Sequence, residues 1–332
     1  MNPKAINKLL TVNEVKEMIN ENKVLVLAGN ETVLSQLPKG NWIGGTIPYF
    51  MDAKGGTFSK ESIFVTDLTD TQRTYKITTY NANEINKIID DRYPDGFTYL
   101  LIPAFSDIHL KYAIEAESIP GLYDAPIFGW ITGIDLDELG TVTPKIINGL
   151  TNDASDAKAI ALHVELPDSK IAQLEIINIF KQGCCDTIIF NEEGFSAKTC
   201  FVNGKEVNFT EYIKEKNIDI RLPLVADYSG AMINVSFQQV DEENKEVKFY
   251  APVRKNLAYK IAIPVSDYVA EFTKMVPSQE EAKDIALSCN CILNYLYSEL
   301  ENKQTAGING PITFGEIAYV LVNQTMVYLS VL

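Results

Sequence analysis

Short apolar runs alternate with segments of helical period along the first 150 residues. Lys23–Ala28, Trp42–Ile47 and Ile63–Leu68 are brief, rich in β-branched or aromatic residues and bounded by polar residues. Runs of this length are typical of buried strands. Thr11 and Glu14 form a capping-box pattern, which marks the start of a helix. We therefore predict three strands here, with a first helix ahead of them.

The pattern continues beyond these strands. Ser106 is placed to cap a short helix that follows one of the later apolar runs. Four further strands are predicted by the same criterion, at Tyr75–Tyr80, Tyr99–Ile102, Pro126–Thr132 and Ala159–Leu166.

The second half opens with the polar, turn-rich segment Asn148–Asp156, the best candidate for a domain boundary. Beyond it, apolar residues at helical spacing predict a helix from Ile171 to Phe180 and a long helix from Ser278 to Asn302. Pro223–Phe237 and Lys245–Val253 have the pattern of a hairpin. The prediction is an α/β (α+β) protein with two packed lobes, residues 1–150 and 151–332, containing mixed β-sheets and flanking helices.

The composition and the net charge limit the classes of partner and the cellular location that we expect. The chain has 332 residues with a formal net charge of −15. Such a surface repels phosphate backbones and anionic lipid, so nucleic acid and membranes are not expected partners. The five cysteines include two close pairs in the sequence, which is a poor disulfide framework. We see no signal peptide and no spanning segment, so the expected location is cytoplasmic.

Two motifs are candidates for a binding site. Adjacent Gly44 and Gly45 let a backbone approach a ligand closely, and Thr46 adds a hydroxyl and an N–H. A β-bulge or a tight crossing of strands would use the same glycines. Glu316 begins an otherwise apolar strand, where a carboxylate is costly unless it is paired or faces a ligand. A turn with an exposed glutamate is the alternative for that position.

The C-terminal motif resembles a known family. Gly310-x-Ile-Thr-Phe-Gly-Glu316-Ile317, followed by Asn323-Gln-Thr-Met326, is similar to the end of FIST sensory domains. Ile43–Thr46 and Asp124–Asp135 resemble the family's N-terminal loop and its internal glycine-rich strand. The chain departs from the family at residues 47–49 and lacks an expected arginine near residues 294–295.

The resemblance implies a sensory protein that binds a small molecule and acts through a separate signalling partner. The site is then expected between the lobes, where the N-terminal glycines would meet the C-terminal acid. Its predicted lining is Gly44, Gly45, Thr46, Tyr49, Asp227, Asn290 and Glu316.

Two alternatives stay open. Some members of the resembled family bind haem and sense nitric oxide, and the available imidazole ligands here are His163 and His109. An enzyme acting on a small metabolite would use Glu316 or Asp227, although no set of nucleophile, base and orienting residue is visible. The cysteine spacing does not suggest a structural zinc site, and Cys200 is the better candidate for an exposed thiol.

Overall fold

The fold is known from a computed structural model, which describes residues 6–184, 186–228, 231–275, 285–305 and 307–332. Helices are short. They are α1 (Val12–Asn20), α2 (Glu31–Leu34), α3 (Ile88–Asp91), α4 (Asp107–Glu115), α5 (Phe209–Glu215), α6 (Tyr268–Met275) and α7 (Ile292–Tyr297). Single 3₁₀ turns lie at Ile85–Lys87, Ala116–Ser118, Leu122–Asp124 and Leu136–Glu138.

Strands dominate the described residues. The first part of the chain contains β1 (Ile6–Leu10), β2 (Leu25–Gly29), β3 (Trp42–Thr46), β4 (Tyr49–Asp52), β5 (Gly55–Phe58), β6 (Ile63–Asp67), β7 (Thr74–Tyr80), β8 (Gly96–Pro103), β9 (Ile127–Thr132), β10 (Ile146–Asn148), β11 (Asp153–Ser155) and β12 (Ala159–Glu165). The middle contains β13 (Ala172–Ile177), β14 (Ile188–Ile189), β15 (Gly194–Ala197), β16 (Thr199–Val202), β17 (Lys205–Asn208), β18 (Leu224–Tyr228), β19 (Ala231–Val235), β20 (Phe237–Asp241), β21 (Glu246–Val253) and β22 (Ala258–Ile261). The last part contains β23 (Ile285–Cys291), β24 (Gly310–Thr313), β25 (Glu316–Ala318), β26 (Val320–Val322) and β27 (Met326–Val331).

The strands form five sheets. Their strand orders are β1-β6-β2-β3-β10-β11 (sheet 1), β26-β25-β9-β8-β12-β7 (sheet 2), β13-β27-β23-β24-β4-β5 (sheet 3), β17-β16-β14-β22-β18-β19 (sheet 4) and β15-β21-β20 (sheet 5). The pairs β2/β3, β8/β9 and β23/β24 are parallel, and the pairs beside them in the same sheets are antiparallel. The predicted class, a mixed α/β protein with flanking helices, is confirmed.

The predicted division at residue 150 does not separate two cores. Sheet 2 combines β7, β8 and β9 with β12, β25 and β26, and sheet 3 likewise combines strands from both halves. One large apolar core therefore draws on residues from Val24 to Leu329. A second core lies within Ile188–Tyr259, under sheets 4 and 5. A third, smaller core packs α1 and α2 on sheet 1.

The helix predicted at Ile171–Phe180 is wrong, because β13 occupies most of that segment. β13 pairs with β27 along its whole length, from Ala172 opposite Val331 to Ile177 opposite Met326. Its apolar residues fit the two-residue period of a strand as well as the helical period. Pairing with β27 decides between the two, since local propensity yields to tertiary contacts.

The long helix predicted at Ser278–Asn302 is also wrong where the structure describes it. Residues 276–284, which hold its predicted cap, lie outside the described residues. Ile285–Cys291 is instead the fully buried strand β23, and only Ile292–Tyr297 is helical. A continuous run of buried residues cannot be assigned to strand or helix by periodicity alone. No helix among the described residues is long and apolar enough to cross a membrane.

Candidate functional site

Of the three parallel strand pairs among the described residues, two end at a common edge. β2 and β3 end at Gly29 and Thr46, while β8 and β9 end at Pro103 and Thr132. The two pairs meet there, because the Gly133 N–H donates to the Thr46 carbonyl oxygen at 2.7 Å. In α/β folds, ligands bind outside the carboxyl ends of such strands. This edge is therefore the first place to look for a site.

Three depressions follow one another along this edge, and we call them together the carboxyl-end groove. The first, of about 450 Å³, borders α2 and includes Thr46 in its wall. It shares Ile134, Val142 and Thr143 with the second, of about 520 Å³. The second in turn shares its wall around Phe105 with a third, of about 420 Å³.

The first depression has its charges already paired. Lys60 Nζ lies 2.7 Å from Asp135 and 2.9 Å from Glu138. Lys145 Nζ lies 2.6 Å from Glu31 on the other side. Because these charged groups are already paired with one another, the first depression offers few unpaired charges to a ligand. We therefore turn to the third depression, which has a different wall.

The third depression is lined by aromatic rings, and we call it the aromatic cavity. It lies between the start of α4 and the strands of sheet 5. Its rings belong to Phe105, His109, Phe195, Tyr250 and Phe314, while the ring of Phe249 packs in the second core. Its other lining residues are Ala104, Ser106, Asp107, Leu110, Ser196, Gln238 and Lys248. A volume of about 420 Å³ lies in the range of small-molecule sites, which are largely apolar with a few placed polar groups.

His109 is the buried polar group of this cavity. Ser106 caps α4, and its Oγ accepts from the His109 backbone N–H at 3.2 Å. The Phe105 backbone N–H donates to His109 Nδ1 at 3.3 Å. Because Nδ1 accepts, the ring proton of the neutral imidazole lies on Nε2. Burial lowers the pKa of His109 to about 4, so this neutral form holds at pH 7.

Nε2 of His109 has no hydrogen-bond partner among the described residues. The ring is 8% exposed, and Phe195 packs its edge against it with the ring centroids 5.6 Å apart. A buried N–H without an acceptor costs on the order of 1–3 kcal/mol, and most buried polar groups in proteins are hydrogen-bonded. His109 therefore lines the aromatic cavity and holds a hydrogen-bond donor that has no partner in the described part of the chain and is itself almost fully buried.

Phe105 is held in an unusual backbone conformation beside His109. Its φ is 63°, and its side chain is 56% exposed at the mouth of the cavity. A left-handed conformation costs a bulky residue on the order of 1–3 kcal/mol and is concentrated at functional sites. The strained turn directs the Phe105 N–H at His109 and places the Phe105 ring near Phe314, with centroids 6.2 Å apart.

Helix α4 joins the cavity to the second core. At the end opposite His109, the Arg254 guanidinium donates to the carbonyl oxygens of Ala113 and Ile114, each at 2.9 Å. Arg254 follows β21, which also supplies Tyr250 to the cavity. Helix α4 therefore contacts sheet 5 through Phe195 at its start and the residue after β21 at its end.

The predicted N-terminal residues do not line a common cavity with Glu316. A Cβ on Gly45 would lie 2.5 Å from Cη2 of Trp130, and one on Gly44 would lie 3.1 Å from Cζ3 of Trp42. Trp130 is the strand partner of Glu316, so its indole fills the space expected to be hollow. The glycines allow close packing against the two indoles. The alternative of a β-bulge is wrong, because β3 has a regular register.

Thr46 and Tyr49 have different surroundings. Thr46 lies in the wall of the first depression, where its Oγ accepts from the Lys145 N–H at 2.8 Å. Tyr49 is buried, and its hydroxyl donates to Asp135 Oδ1 at 3.3 Å and accepts from the Leu136 N–H at 3.2 Å. Burial raises the pKa of Tyr49 to about 12. Of the predicted ligand residues, Thr46 therefore lies on the carboxyl-end groove.

Glu316 is fully buried and held by its neighbours. Its Oε2 accepts from Thr325 Oγ1 at 2.8 Å and from the Thr325 N–H at 3.3 Å, and Thr313 Oγ1 lies 3.4 Å from Oε1. Burial raises the pKa of Glu316 to about 8, so the acid is mostly neutral at pH 7. The alternative of an exposed glutamate is wrong.

The other two predicted residues lie elsewhere. Asn290 on β23 is buried near Glu316, and its Oδ1 accepts from Asn294 Nδ2 at 2.9 Å. Asp227 is exposed on β18, opposite Met232 in a hairpin of sheet 4. Neither lines the three depressions of the groove.

The second histidine is built into the core. His163 has Tyr80 Oη 2.9 Å from Nε2 and Thr98 Oγ1 2.9 Å from Nδ1. Tyr80 donates its proton to Asp91 at 2.8 Å, so His163 Nε2–H donates to Tyr80 and Nδ1 accepts from Thr98. Both ring nitrogens of His163 therefore have hydrogen-bond partners. In His109, the protonated Nε2 likewise has no free lone pair. Neither arrangement favours a bond to haem iron.

The described residues contain no cluster of three or more His, Cys, Asp or Glu residues able to hold a metal, and of their four cysteines Cys184 is exposed. Cys200, expected to be the exposed thiol, is buried, and burial raises its pKa to about 12. Cys289 and Cys291 are buried with raised pKa values. Such thiols are poor nucleophiles and metal ligands.

Fold and site together define an α/β protein with a ligand-sized aromatic cavity at the carboxyl ends of its parallel strands. The chain belongs to the family of unknown function DUF6976, whose model matches residues 10–332. No protein with a curated description matches the chain.

Proposed function

We propose that this protein binds a small organic molecule in the aromatic cavity and acts as a sensory or signalling protein through a separate partner, in the cytoplasm. The observation that carries the proposal is His109, a buried donor without a partner in the wall of an aromatic cavity of about 420 Å³. Sites of this kind combine an apolar wall with few polar groups that fix orientation.

The resemblance to FIST sensory domains supports the same class of function. The C-terminal motif that carries the resemblance contributes Phe314 to the cavity wall, while Thr313 and Glu316 hold the adjoining strands together. The motif therefore lies beside the cavity, although its acid is structural.

Helix α4 supplies a route from binding to signalling. Its first turn carries His109, and its last carbonyl groups are held by Arg254 from the second core. A ligand that moves the first turn therefore biases the packing of sheet 5. Such coupling requires only that the two packing arrangements bind the ligand with different affinities.

An enzyme acting through Glu316 and Asp227 is less well supported. Glu316 is fully buried under strand pairs, and Asp227 lies in a hairpin of another sheet. A general acid and base must both reach one substrate, and this placement gives no shared cleft.

The proposal is tested by blocking the cavity. Gln238 lies in the cavity wall on β20, and its exposed neighbour Gln239 does not. Gln238→Trp should fill the mouth, whereas Gln239→Trp is the matched control. Thermal unfolding is measured with a panel of amino acids, indole and quinoline, because a ligand at 100 times its Kd stabilises by about 2.7 kcal/mol.

We expect at least one compound to raise the Tm of the wild-type protein and of Gln239→Trp but not of Gln238→Trp. Native mass spectrometry of the protein purified from cells provides a second readout of bound mass. The proposal fails if the whole panel leaves Tm unchanged and no small molecule accompanies the purified protein.

A further inference from the structure

The buried end of the aromatic cavity offers one directional polar group. Ser106 Oγ is occupied, since it donates to the Pro103 carbonyl oxygen at 2.6 Å and accepts from the His109 N–H. Ser196 Oγ donates to Glu246 at 3.0 Å, at the exposed rim. The rest of the lining is mostly apolar, although it also contains the phenol of Tyr250 and the exposed amide of Gln238. Beside Phe195 and Phe105, the polar group is the His109 Nε2–H.

The direction of this hydrogen bond is fixed by the backbone. The Phe105 N–H is a permanent donor, and it faces His109 Nδ1 at 3.3 Å. An imidazole that accepts at Nδ1 carries its proton at Nε2 and can only donate there. A ligand group that meets Nε2 must therefore be an acceptor, such as a carbonyl oxygen or a pyridine-type nitrogen.

A charged group at the buried end of a ligand would have no counter-ion in this part of the wall. The charged lining residues, Asp107 and Lys248, carry opposite signs and are exposed or half-buried. An ion moved from water into an apolar wall without a counter-ion is strongly penalised. Flat rings, by contrast, pack well against the edges and faces of aromatic side chains.

We infer that the aromatic cavity takes a flat, uncharged molecule of one or two fused rings bearing a hydrogen-bond acceptor, which the His109 Nε2–H recognises. The inference rests on the proposed function and specifies the chemistry of its ligand. His109 then discriminates between ligands of equal shape by the presence of the acceptor.

Two pairs of probes isolate the acceptor. Quinoline and naphthalene share a bicyclic shape, and only quinoline has an acceptor nitrogen; indan-1-one and indane form a second pair that differs in a carbonyl group. Affinities are measured by ligand-observed NMR titration of the full chain. One hydrogen bond in a dry site corresponds to about a tenfold difference in Kd, so quinoline and indan-1-one should bind about tenfold more tightly than their partners.

Variants of His109 assign the difference to the imidazole. His109→Phe keeps a flat ring and removes the donor, so the preference within each pair should disappear. His109→Gln places an amide donor near the position of Nε2 and should restore part of it. Far-ultraviolet circular dichroism and thermal unfolding verify that each variant is folded. If His109→Phe does not fold, the comparison of wild type with His109→Gln still tests the inference.

The outcomes separate the inference from the proposed function. Equal affinities within both pairs, with binding abolished by Gln238→Trp, would overturn the ligand class and leave the binding function standing. Tighter binding of quinoline-2-carboxylate than of quinoline would also overturn it, in favour of an anion held by Lys248. Absence of binding by every probe would also overturn the ligand class, whereas the proposed function fails only if, in addition, the wider panel leaves Tm unchanged and no small molecule accompanies the purified protein.

Discussion

His163 and His109 are both buried, yet they differ in how their ring nitrogens are satisfied. His163 has Tyr80 on one nitrogen and Thr98 on the other, each at 2.9 Å. His109 has the Phe105 N–H on one nitrogen and no partner on the other among the described residues. Burial lowers the pKa of both to about 4.

The comparison shows on which property the proposed binding site rests. Burial and a lowered pKa are common to the two histidines, so neither quantity distinguishes them. The hydrogen-bond partners do distinguish them, because a satisfied imidazole fixes the core while an unsatisfied one retains a donor for a ligand. The predictions below test this distinction from the largest expected effect to the smallest.

Glu316 extends the comparison to a buried acid, with the opposite dependence on pH. Its pKa is about 8 in the folded protein and about 4.5 when unfolded, so between these values the folded state binds a proton that the unfolded state has lost. Stability contributed by this group is full below pH 4.5 and is lost as pH rises to 8. The side chain in Glu316→Gln cannot ionise. As the pH rises, the free energy of unfolding of this variant should therefore exceed that of the wild type by about 1.4 kcal/mol more per pH unit, up to about 4 kcal/mol.

Urea denaturation between pH 5 and 8.5 measures this difference. Glu206→Gln is the control, because Glu206 is an exposed glutamate on β17. Its profile should follow the wild type within about 0.5 kcal/mol. Parallel profiles for Glu316→Gln and wild type would show that Glu316 is already ionised, and hence more solvated than its burial implies.

Replacing each histidine with phenylalanine compares the two sites directly. His163→Phe leaves Thr98 without its partner and breaks the link to Tyr80, so we expect a loss of about 3 kcal/mol at pH 7. His109→Phe removes one hydrogen bond and one unsatisfied N–H, and the expected loss is about 1 kcal/mol or less. Denaturant midpoints at constant m-value provide the measurement. Equal losses would contradict the distinction between a structural and a ligand-facing histidine.

The decrease in unfolding free energy at acidic pH should also depend on His109. Its pKa is about 6.5 when unfolded and about 4 when folded, so the unfolded state binds a proton first as pH falls. The stability from this group is present above pH 6.5 and is lost between pH 6.5 and 4. His109→Gln removes the titration, so the slope of unfolding free energy against pH should decrease by about 1.4 kcal/mol per unit in this window.

In His109→Gln, the stability that is still lost as the pH falls should be due largely to His163, whose pKa is also lowered to about 4. Guanidinium denaturation at closely spaced pH values from 4.5 to 7 resolves the two contributions. An unchanged slope in His109→Gln would mean that the His109 imidazole is already solvated in the native state.

The fold class could be predicted from sequence because its strands are short apolar runs between turn residues. Lys23–Ala28 and Ala159–Leu166 are of this kind, and β2 and β12 lie within or beside them. Ile285–Cys291 could not be assigned, because a segment buried on both faces has no period to read. The pairing of β23 with both β24 and β27 resolves it, and that is a long-range contact.

The site was partly accessible from sequence. Local sequence patterns predict Thr46, the capping Ser106 and the short helix that contains His109. They do not predict the aromatic wall, because Phe105, Phe195 and Tyr250 come from distant segments that meet only in the fold. Glu316 shows the limit of local reasoning, since the sequence indicated that the acid needs a partner, and the structure supplies Thr325 in place of a ligand.

Phe105 provides the test with the smallest expected effect on stability. Its φ of 63° strains a bulky residue, and asparagine tolerates this conformation better. Phe105→Asn keeps the backbone N–H that faces His109 while removing a ring from the cavity mouth. We expect a gain of up to about 1 kcal/mol in unfolding free energy, together with weaker quinoline binding, because strain kept at a site is a cost of function. Phe58→Asn is the control, since Phe58 is also exposed, at 44%, but lies in β5 without a positive φ. If Phe105→Asn loses as much stability as Phe58→Asn, the prediction is wrong. The phenylalanine at position 105 would then be explained by its packing and not by a strained turn that positions His109.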